Sequence, residues 1–347
     1  MMKFNFLLCA MALILFSCES DDDQEVQVVP DSDNLVLIGN EGAFLGDNAS
    51  LTLLDREAGV ASQNAYYNAN VDAELGDVLQ SMYEYNDELY LVVNNSGKIE
   101  VVDEDNLTTN RTITGFTSPR YMLFENASKA YVSDLFANGI HIINPSNGTY
   151  TSFINTGFWV EHMTAYNGDI WCSAPGKDKV FFLDPSVDVI TDSLQLTAGV
   201  SDIGFDANSD FWILSQGTYS EPIIEPALHH VDGDTKELIA TYSFPAGTGF
   251  GGNLTMSADK QNVLYLMGGK IYKMSISATS LPNTPFIEKE ETPFYTLSVN
   301  PENGEIAATF TPDFSQSGKV YFYGVDGVEA DNYTTGVAPK SVLWLED

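Results

Sequence analysis

The feature that most constrains the fold of this chain is a short strand pattern that recurs at nearly even intervals. In each copy, an apolar-small-apolar strand opens directly after a polar loop. The copies begin near Gln80, Met122, Met163, Ile203, Leu254, Thr296 and Ser341, and subtraction gives intervals of 42, 41, 40, 51, 42 and 45 residues. A period of about 40–45 residues is typical of a propeller blade, which contains four strands.

The third repeat shows four strands within one period. They are predicted at Tyr121–Phe124, Ala130–Ser133, Gly139–Ile143 and Tyr150–Ile154. Turn-forming residues separate them, including the run Asn144-Pro-Ser-Asn-Gly148. Alternation between short apolar runs and such turns indicates strands, and no segment keeps a helical periodicity. The chain is therefore predicted to be all-β.

The two ends of the repeat array complement each other. The first apolar segment, Asn34–Asn40, resembles a second strand, so the first unit lacks an inner strand. The last unit supplies a spare strand at Ser341–Leu345. Pairing these segments would close the array and remove its open edges. We predict a seven-bladed β-propeller in which the C-terminal strand closes blade one; an eight-bladed ring or a β-sandwich is the alternative.

The composition is that of a folded domain with a strongly acidic surface. Of 347 residues, 44% are hydrophobic, and Asp and Glu number 49 against 15 Lys and Arg, which gives a net charge of −34. This charge argues against nucleic acid and anionic lipid surfaces as partners, because both need a basic face. Three cysteines are too few for a disulfide framework or a four-thiolate zinc site.

The N-terminus has the pattern of a secretory signal. Lys3 precedes an apolar stretch, Phe4–Phe16, that is too short to span a bilayer. The ending Leu15-Phe-Ser-Cys18 resembles the bacterial lipoprotein cleavage box, which implies lipidation of Cys18. We predict a lipoprotein signal peptide over 1–17, a lipidated acidic tether over 18–33 and the propeller over 34–347. The alternative is a soluble periplasmic protein with a chance cysteine.

A binding site is predicted on one face of the ring. Loops that precede inner strands and loops between second and third strands share this face, and they carry polar and aromatic residues suited to stacking and hydrogen bonding. The candidate ligand-binding residues are Asn40, Glu41, Asp77, Asn94, Arg120, Tyr121, Asp134, Phe136, Trp159, Glu161, His162, Asp202, Tyr219, Asn253 and Tyr295. No catalytic or metal-ligating residue and no cofactor is assigned.

Several candidates have simpler structural interpretations. His162 beside Glu161 is a ligand, one member of an acid–base pair, or a partner in a hydrogen bond at the rim. Arg120 holds an anionic group or forms a salt bridge between blades. The acids at strand starts surround a cation or cap backbone amides. Cys172 is expected to be buried, and His141 is expected on a strand surface.

One interval, the 51 residues from Ile203 to Leu254, is longer than the others because it contains an insertion. Residues 216–228 form an insertion between the second and third strands of their blade, on the predicted binding face. Ile223 and Ile224 lie between prolines in it and need a cover. A ligand or a partner protein is one cover, and packing of the loop on itself is the other.

Several stretches resemble a known family. They are Asn40-Glu-Gly42, Leu75-Gly-Asp77, Gln80-Ser-Met82, Leu89-Tyr-Leu-Val-Val-Asn-Asn-Ser-Gly97, Ser118-Pro-Arg-Tyr121 and Lys129-Ala-Tyr-Val-Ser-Asp134. They look like the YncE-like seven-bladed β-propeller surface lipoproteins of Bacteroidota, whose branches include the cobalamin-capturing propellers. Asp21-Asp-Asp23 likewise resembles the acidic export tag of such lipoproteins.

The resemblance implies a location and an activity. The protein would sit in the outer membrane through its lipid anchor, facing the cell exterior. There it would bind a small or medium ligand, best a corrinoid such as cobalamin carried as cargo, and deliver it to a TonB-dependent transporter. The alternatives are a protein-binding scaffold or transporter accessory subunit, and a propeller lyase or hydrolase.

Overall fold

The computed structural model describes residues 29–30, 32, 34–71, 73–218, 220–246 and 251–345. These residues form seven antiparallel sheets, six with four strands and one with three, and sequence neighbours pair within each sheet. The predicted all-β, seven-bladed propeller is confirmed. The predicted signal peptide and Cys18 lie outside the described residues. Within those residues, no helix has the length and apolar character needed to cross a membrane.

The strands follow chain order around the ring. Blade 1 contains β1 (Leu35–Asn40), β2 (Ser50–Asp55) and β3 (Val60–Ser62), followed by the helix α1 (Ala65–Ala69). Blades 2 to 4 comprise β4 (Leu79–Glu84), β5 (Glu88–Val93), β6 (Lys98–Asp103), β7 (Thr109–Thr114), β8 (Pro119–Asn126), β9 (Lys129–Asp134), β10 (Gly139–Asn144), β11 (Thr149–Asn155), β12 (Met163–Tyr166), β13 (Asp169–Ala174), β14 (Lys179–Asp184) and β15 (Val189–Gln195).

Blades 5 and 6 depart from the regular pattern of four strands joined by short loops. Blades 5 to 7 comprise β16 (Val200–Phe205), β17 (Phe211–Ser215), β18 (Ala227–Val231), β19 (Leu238–Ser243), β20 (Gly251–Met256), β21 (Asn262–Met267), β22 (Lys270–Ser275), β23 (Phe294–Val299), β24 (Ile306–Phe310), β25 (Ser317–Tyr323) and β26 (Glu329–Val337). The insertion lies between β17 and β18, as predicted. Blade 6 has no fourth strand among its described residues.

The hydrophobic core lies between neighbouring blades. Tyr90 and Val101 of blade 2, for example, pack against Met122 and Val132 of blade 3. Second strands are buried on both faces, so they read as near-continuous apolar runs such as Leu89–Val93. Outer strands such as β11 are mostly exposed. Each blade therefore depends on its neighbours for burial, which makes the closed ring one cooperative unit.

The C-terminal strand closes the ring as predicted. β27 (Pro339–Trp344) is the inner strand of blade 1 and pairs antiparallel with β1, with Leu37 opposite Leu343 and Ile38 opposite Val342. The first and last parts of the chain are therefore hydrogen-bonded to each other over the length of a strand.

An arginine ties the closing blade to the last one. Arg56, at the end of β2, forms ion pairs with Glu305 and Asp331 of blade 7. Its guanidinium lies 3.9 Å from the centre of the Phe322 ring. Its side chain is only 6% exposed, so these contacts are largely shielded from water and salt.

We expect Arg56→Ala to lower the free energy of unfolding by about 3 kcal/mol, because it leaves two carboxylates without their counterion at a buried interface. Lys270→Ala is the matched control, since the Lys270–Glu288 pair is about half exposed and its loss should cost at most about 1 kcal/mol. Urea denaturation measures both. Equal effects for the two variants would mean that Arg56 does not hold the closure.

Candidate ligand-binding site

A central cavity of about 500 Å³ opens at the upper face, where the inner strands begin. Each of the seven blades contributes at least two consecutive residues to its wall, from its inner strand or, in blade 4, from directly before β12. The pairs are Gln80-Ser81, Arg120-Tyr121, Glu161-His162, Ser201-Asp202, Gly252-Asn253, Tyr295-Thr296 and Lys340-Ser341. The volume lies within the range of about 300–1,000 Å³ found for small-molecule sites.

Local irregularities in the strands explain why two consecutive residues line the same cavity. Successive side chains of a regular strand point to opposite faces. In blades 1, 2, 3, 5, 6 and 7 the pairing of the inner strand shifts register at or beside the lining pair. Such a bulge bends the strand and changes the direction of a side chain. The polar pair therefore lies immediately before the apolar residue that anchors each strand in the core.

Arg120 organises one side of the cavity. Its Nε donates to Glu161 Oε2 at 3.0 Å and its Nη1 donates to Gln80 Oε1 at 2.8 Å. Trp159 Nε1 donates to the same Glu161 oxygen at 2.7 Å. Burial disfavours the guanidinium charge, but the Glu161 carboxylate outweighs this and raises the pKa of Arg120. The Arg120 side chain is thus fixed with its charge balanced.

His162 continues this side of the wall. Its ring packs on Tyr121 with 3.8 Å between ring centres, and its Nε2 lies 2.7 Å from Asp202 Oδ1. The Tyr121 hydroxyl accepts a hydrogen bond from Gln80 Nε2 at 2.9 Å. Burial opposes protonation of His162, yet the Asp202 carboxylate more than compensates and raises the pKa of the imidazole.

A second set of hydrogen-bonded residues, two of them charged, comes from blades 1 and 7. Glu41 accepts hydrogen bonds from the Tyr295 hydroxyl and from Lys340 Nζ, both at 2.7 Å. Burial, followed by the charge of Glu41, raises the pKa of Tyr295. Both cations of the wall, Arg120 and Lys340, therefore have carboxylate partners. The cavity offers a ligand mainly hydroxyl, amide and aromatic contacts within a charge-balanced frame.

The structure brings together about half of the predicted site residues. Seven of them line the cavity: Arg120, Tyr121, Glu161, His162, Asp202, Asn253 and Tyr295. Glu41 and Trp159 support it by hydrogen-bonding to lining residues. Asn253 accepts a hydrogen bond from the Leu297 amide at 2.8 Å, which orients its side chain.

Four predicted residues are not at the cavity but hold loops. Asn40 donates to Ser50 and Thr52, and Asn94 donates to the Pro119 carbonyl. Asp77 accepts from the Leu45 amide and from Asn95. Asp134 accepts from four backbone amides and from His141.

Its hydrogen bonds determine the ionisation of Asp134. Burial alone would raise the pKa of Asp134, but the hydrogen bonds from His141 and the backbone lower it to about 2.

The position of His141 differs from the expectation. His141 was expected on a strand surface, and this was wrong: it is buried between Asp134 and Tyr150. A sequence pattern cannot distinguish a histidine on a third strand that faces solvent from one that lies under a loop.

Exposed apolar side chains lie on several loops between second and third strands, on the upper face. Phe136 is 66% exposed, Phe44 is 68% exposed, and Phe314 lies beside Tyr295. Ile223 and Ile224 of the insertion are also exposed, so packing of the loop on itself does not bury them. Tyr219, the remaining predicted residue, lies outside the described residues.

Fourteen lining residues were not predicted. Seven of them belong to the lining pairs that precede the recurring apolar position: Gln80, Ser81, Ser201, Gly252, Thr296, Lys340 and Ser341. The other seven are Gln216, Leu266, Gly269, Phe294, Leu297, Ser298 and Val342. The repeat itself therefore carried the signal, because every unit places a lining pair at the same register.

One possible metal-ligand cluster and the thiol of Cys172 have structural explanations. Asp206, Asp210 and His230 place ligand-type atoms within 4.8 Å of one another. However, Asp206 already accepts from Trp212 Nε1 and from two backbone amides, and Asp210 is paired with His230. Cys172 is fully buried as expected, and burial raises the pKa of its thiol to about 12.

The raised pKa of His162 predicts a pH dependence of stability. The protonated form is favoured in the folded state, so its contribution is complete below the ordinary pKa of about 6.5 and is lost as pH rises through the folded pKa. We expect the stability advantage of wild type over His162→Gln to fall between acidic and alkaline pH. Urea denaturation across this range measures it, and an advantage that grows with pH would contradict the Asp202 pairing.

The fold and its upper face define a seven-bladed propeller with a polar central cavity. A model of a domain of unknown function, DUF5074, matches residues 35–335. The chain therefore belongs to the DUF5074 family. No curated protein is significantly similar to it in sequence.

Solved structures with a similar fold belong to proteins of different kinds. One is a quinonprotein alcohol dehydrogenase-like protein from Bacteroides thetaiotaomicron, with a TM-score of 0.70 and 16% identity over 90% of this chain and 78% of that chain. Another is the Cps50 (Swd1) propeller domain of Myceliophteria thermophila, with a TM-score of 0.64 and 10% identity over 86% and 99%. Hydrazine synthase from Kuenenia stuttgartiensis gives 0.60 and 10% over 75% and 87%. At these identities the likeness concerns the fold alone.

Proposed function

We propose that this protein is an outer-membrane surface lipoprotein that captures a ligand at its central cavity and delivers it to a TonB-dependent transporter. The observation that carries the proposal is the convergence of two consecutive residues from every blade on one opening. A wall rich in amides, hydroxyls and aromatic rings suits a neutral, polar ligand. The lipoprotein-like ending at Cys18 and the acidic run after it support the location.

The best candidate ligand is a corrinoid such as cobalamin. Its periphery carries amide groups that would hydrogen-bond to Asn253, Gln80 and the cavity hydroxyls. A corrinoid is larger than the cavity of about 500 Å³, so its macrocycle would cover the opening. Exposed rings such as Phe136 and Phe314 lie on loops of the same face and would pack against it.

Isothermal titration of the protein with cyanocobalamin, haem and a ferric siderophore tests the ligand. The expected result is binding of cyanocobalamin with a dissociation constant in the micromolar range or tighter. Binding of haem or a siderophore alone would replace the ligand class while keeping the capture function. Binding of none of the three would contradict ligand capture.

The alternative of a protein-binding scaffold draws on the same exposed apolar loops. Ile223 and Ile224 would then contact the transporter directly, without any ligand. Capture of a transporter by the ligand-free protein, together with no binding in the titrations, would favour it. A propeller lyase or hydrolase is the third candidate, and metal-dependent turnover of a substrate would favour that activity.

A further inference from the structure

The charged residues that come first in their lining pairs share a contact that the uncharged ones lack. There are three of them: Arg120, Glu161 and Lys340. The carbonyl oxygen of each accepts a hydrogen bond from a hydroxyl of the preceding blade, namely from Ser81 at 2.7 Å, Ser133 at 2.8 Å and Thr296 at 2.7 Å. Within the described part of the chain, no side chain donates to the carbonyls of the four uncharged first members, Gln80, Ser201, Gly252 and Tyr295.

The three carbonyls lie where the strand ladder is interrupted. Arg120 and Lys340 lie within the register shifts of β8 and β27, and Glu161 lies directly before β12. A bulged residue has no partner in the ladder, so its carbonyl needs a donor from elsewhere. The hydroxyl of the preceding blade therefore fixes the peptide from which each charged side chain projects.

Ser133 separates this contact from direct contact with a ligand. It lies on β9, is fully buried and does not line the central cavity, whereas the other two hydroxyls belong to the wall. The Glu161 carboxylate, in turn, accepts from Arg120 Nε at 3.0 Å and from Trp159 Nε1 at 2.7 Å. A hydroxyl outside the cavity is thus connected through Glu161 to one charged side of its wall.

We propose that the hydroxyls of Ser81, Ser133 and Thr296 are positioning groups, through which each of three blades sets the direction of the charged side chain on the next. Without the Ser133 hydroxyl, the Glu161 carbonyl loses its donor, its peptide turns, and the carboxylate moves away from Trp159. The consequence for ligand capture rests on the proposed function, whereas the placement of Glu161 does not.

Ser173 offers a matched control for Ser133. Both serines are fully buried as the penultimate residue of a second strand. Each Oγ also accepts from the amide of a lining residue in its own blade, from Tyr121 at 3.1 Å and from His162 at 2.9 Å. Of the two serines, only Ser133 donates to the next blade. Ser133→Ala and Ser173→Ala therefore differ in the contact between blades.

The rescue variant is Ser133→Thr, which keeps the hydroxyl. Thr309 is the penultimate residue of β24 and accepts from the Thr296 amide at 3.1 Å, so threonine fits this position in blade 7. Ser133→Cys retains nearly the volume of serine with a weaker donor, and its effect should lie between those of wild type and Ser133→Ala.

Trp159 fluorescence in the ligand-free protein tests the placement of Glu161, because the indole is bonded to that carboxylate. Its contribution is the difference between spectra recorded with and without Trp159→Phe. Ser133→Ala should shift the maximum of this contribution, while Ser173→Ala and Ser133→Thr should leave it unchanged. No shift in Ser133→Ala, or an equal shift in either of the other two variants, would overturn the proposal.

Isothermal titration with the tightest of cyanocobalamin, haem and a ferric siderophore measures the consequence for capture. Ser133→Ala should weaken binding about fivefold, the loss of one neutral hydrogen bond, while Ser173→Ala and Ser133→Thr should stay close to wild type. Equal affinities in Ser133→Ala and Ser173→Ala would overturn the role in capture. If wild type binds none of the three, the proposed function fails, and the fluorescence alone decides the placement of Glu161.

Discussion

Removal of residues 339–347 is expected to abolish folding of the entire ring. The deletion takes away β27, so that β1 keeps its pairing with β2 but becomes an open edge with six buried residues. It also removes Val342 and Trp344 from the cluster between blades 1 and 7. Since a domain has only about 5–15 kcal/mol of stability, the loss of a complete inner strand should exceed it. Far-UV circular dichroism with denaturant titration measures the result.

Two controls make this deletion informative. A variant that lacks only residues 346–347 keeps all of β27 and should unfold like wild type. A synthetic peptide of residues 339–345, added to the deleted protein during refolding, should restore a cooperative transition. A deleted protein that unfolds cooperatively at the wild-type midpoint would contradict ring closure by the C-terminus.

Arg120→Ala and Tyr121→Ala are each expected to weaken ligand capture by at least about tenfold. Arg120 holds Glu161 and Gln80 in place, and Tyr121 supplies the ring that packs on His162. Arg120→Ala should also lower the free energy of unfolding by about 3 kcal/mol, because it leaves Glu161 buried without its cation. Isothermal titration with the best ligand of the panel measures the affinities.

Further variants separate binding from stability. In Arg120→Ala/Glu161→Gln no charge is left unpaired at this pair, so its stability should partly recover while its affinity stays low. Tyr121→Phe keeps the ring and loses only the bond from Gln80, so its affinity should lie close to that of wild type. Unchanged affinity in both Arg120→Ala and Tyr121→Ala, with folding intact, would remove these residues from the site.

The repeat made the fold predictable, because every unit must bury its strands against the next one. The interval between units indicated four-stranded blades, and the seven copies of the pattern gave the number of blades. The unpaired segments Asn34–Asn40 and Ser341–Leu345 predicted the closure. The three-stranded blade 6 was not predicted. The segment after β22 has a single bridge, from Ile271 to Ile287, in place of a fourth strand.

The position of the central cavity could be predicted from the sequence, and its lining residues only in part. The loops of the upper face were correctly placed, but the direction of each side chain depends on the bulge at the start of the strand. Asn94 and Asp134 are polar residues of that face that instead hydrogen-bond to neighbouring loops. Gln80 and Lys340 lie within the bulged pairs and face the cavity. Pairing register, which decides between these outcomes, is a property of two strands together.

A crystal structure of the protein with the tightest ligand of the panel decides whether the central cavity is the binding site. The ligand is expected to cover this cavity, with hydrogen bonds to residues from several of the seven lining pairs. A ligand bound at the lower face or on an outer strand, with only solvent in the central cavity, would contradict binding at this site.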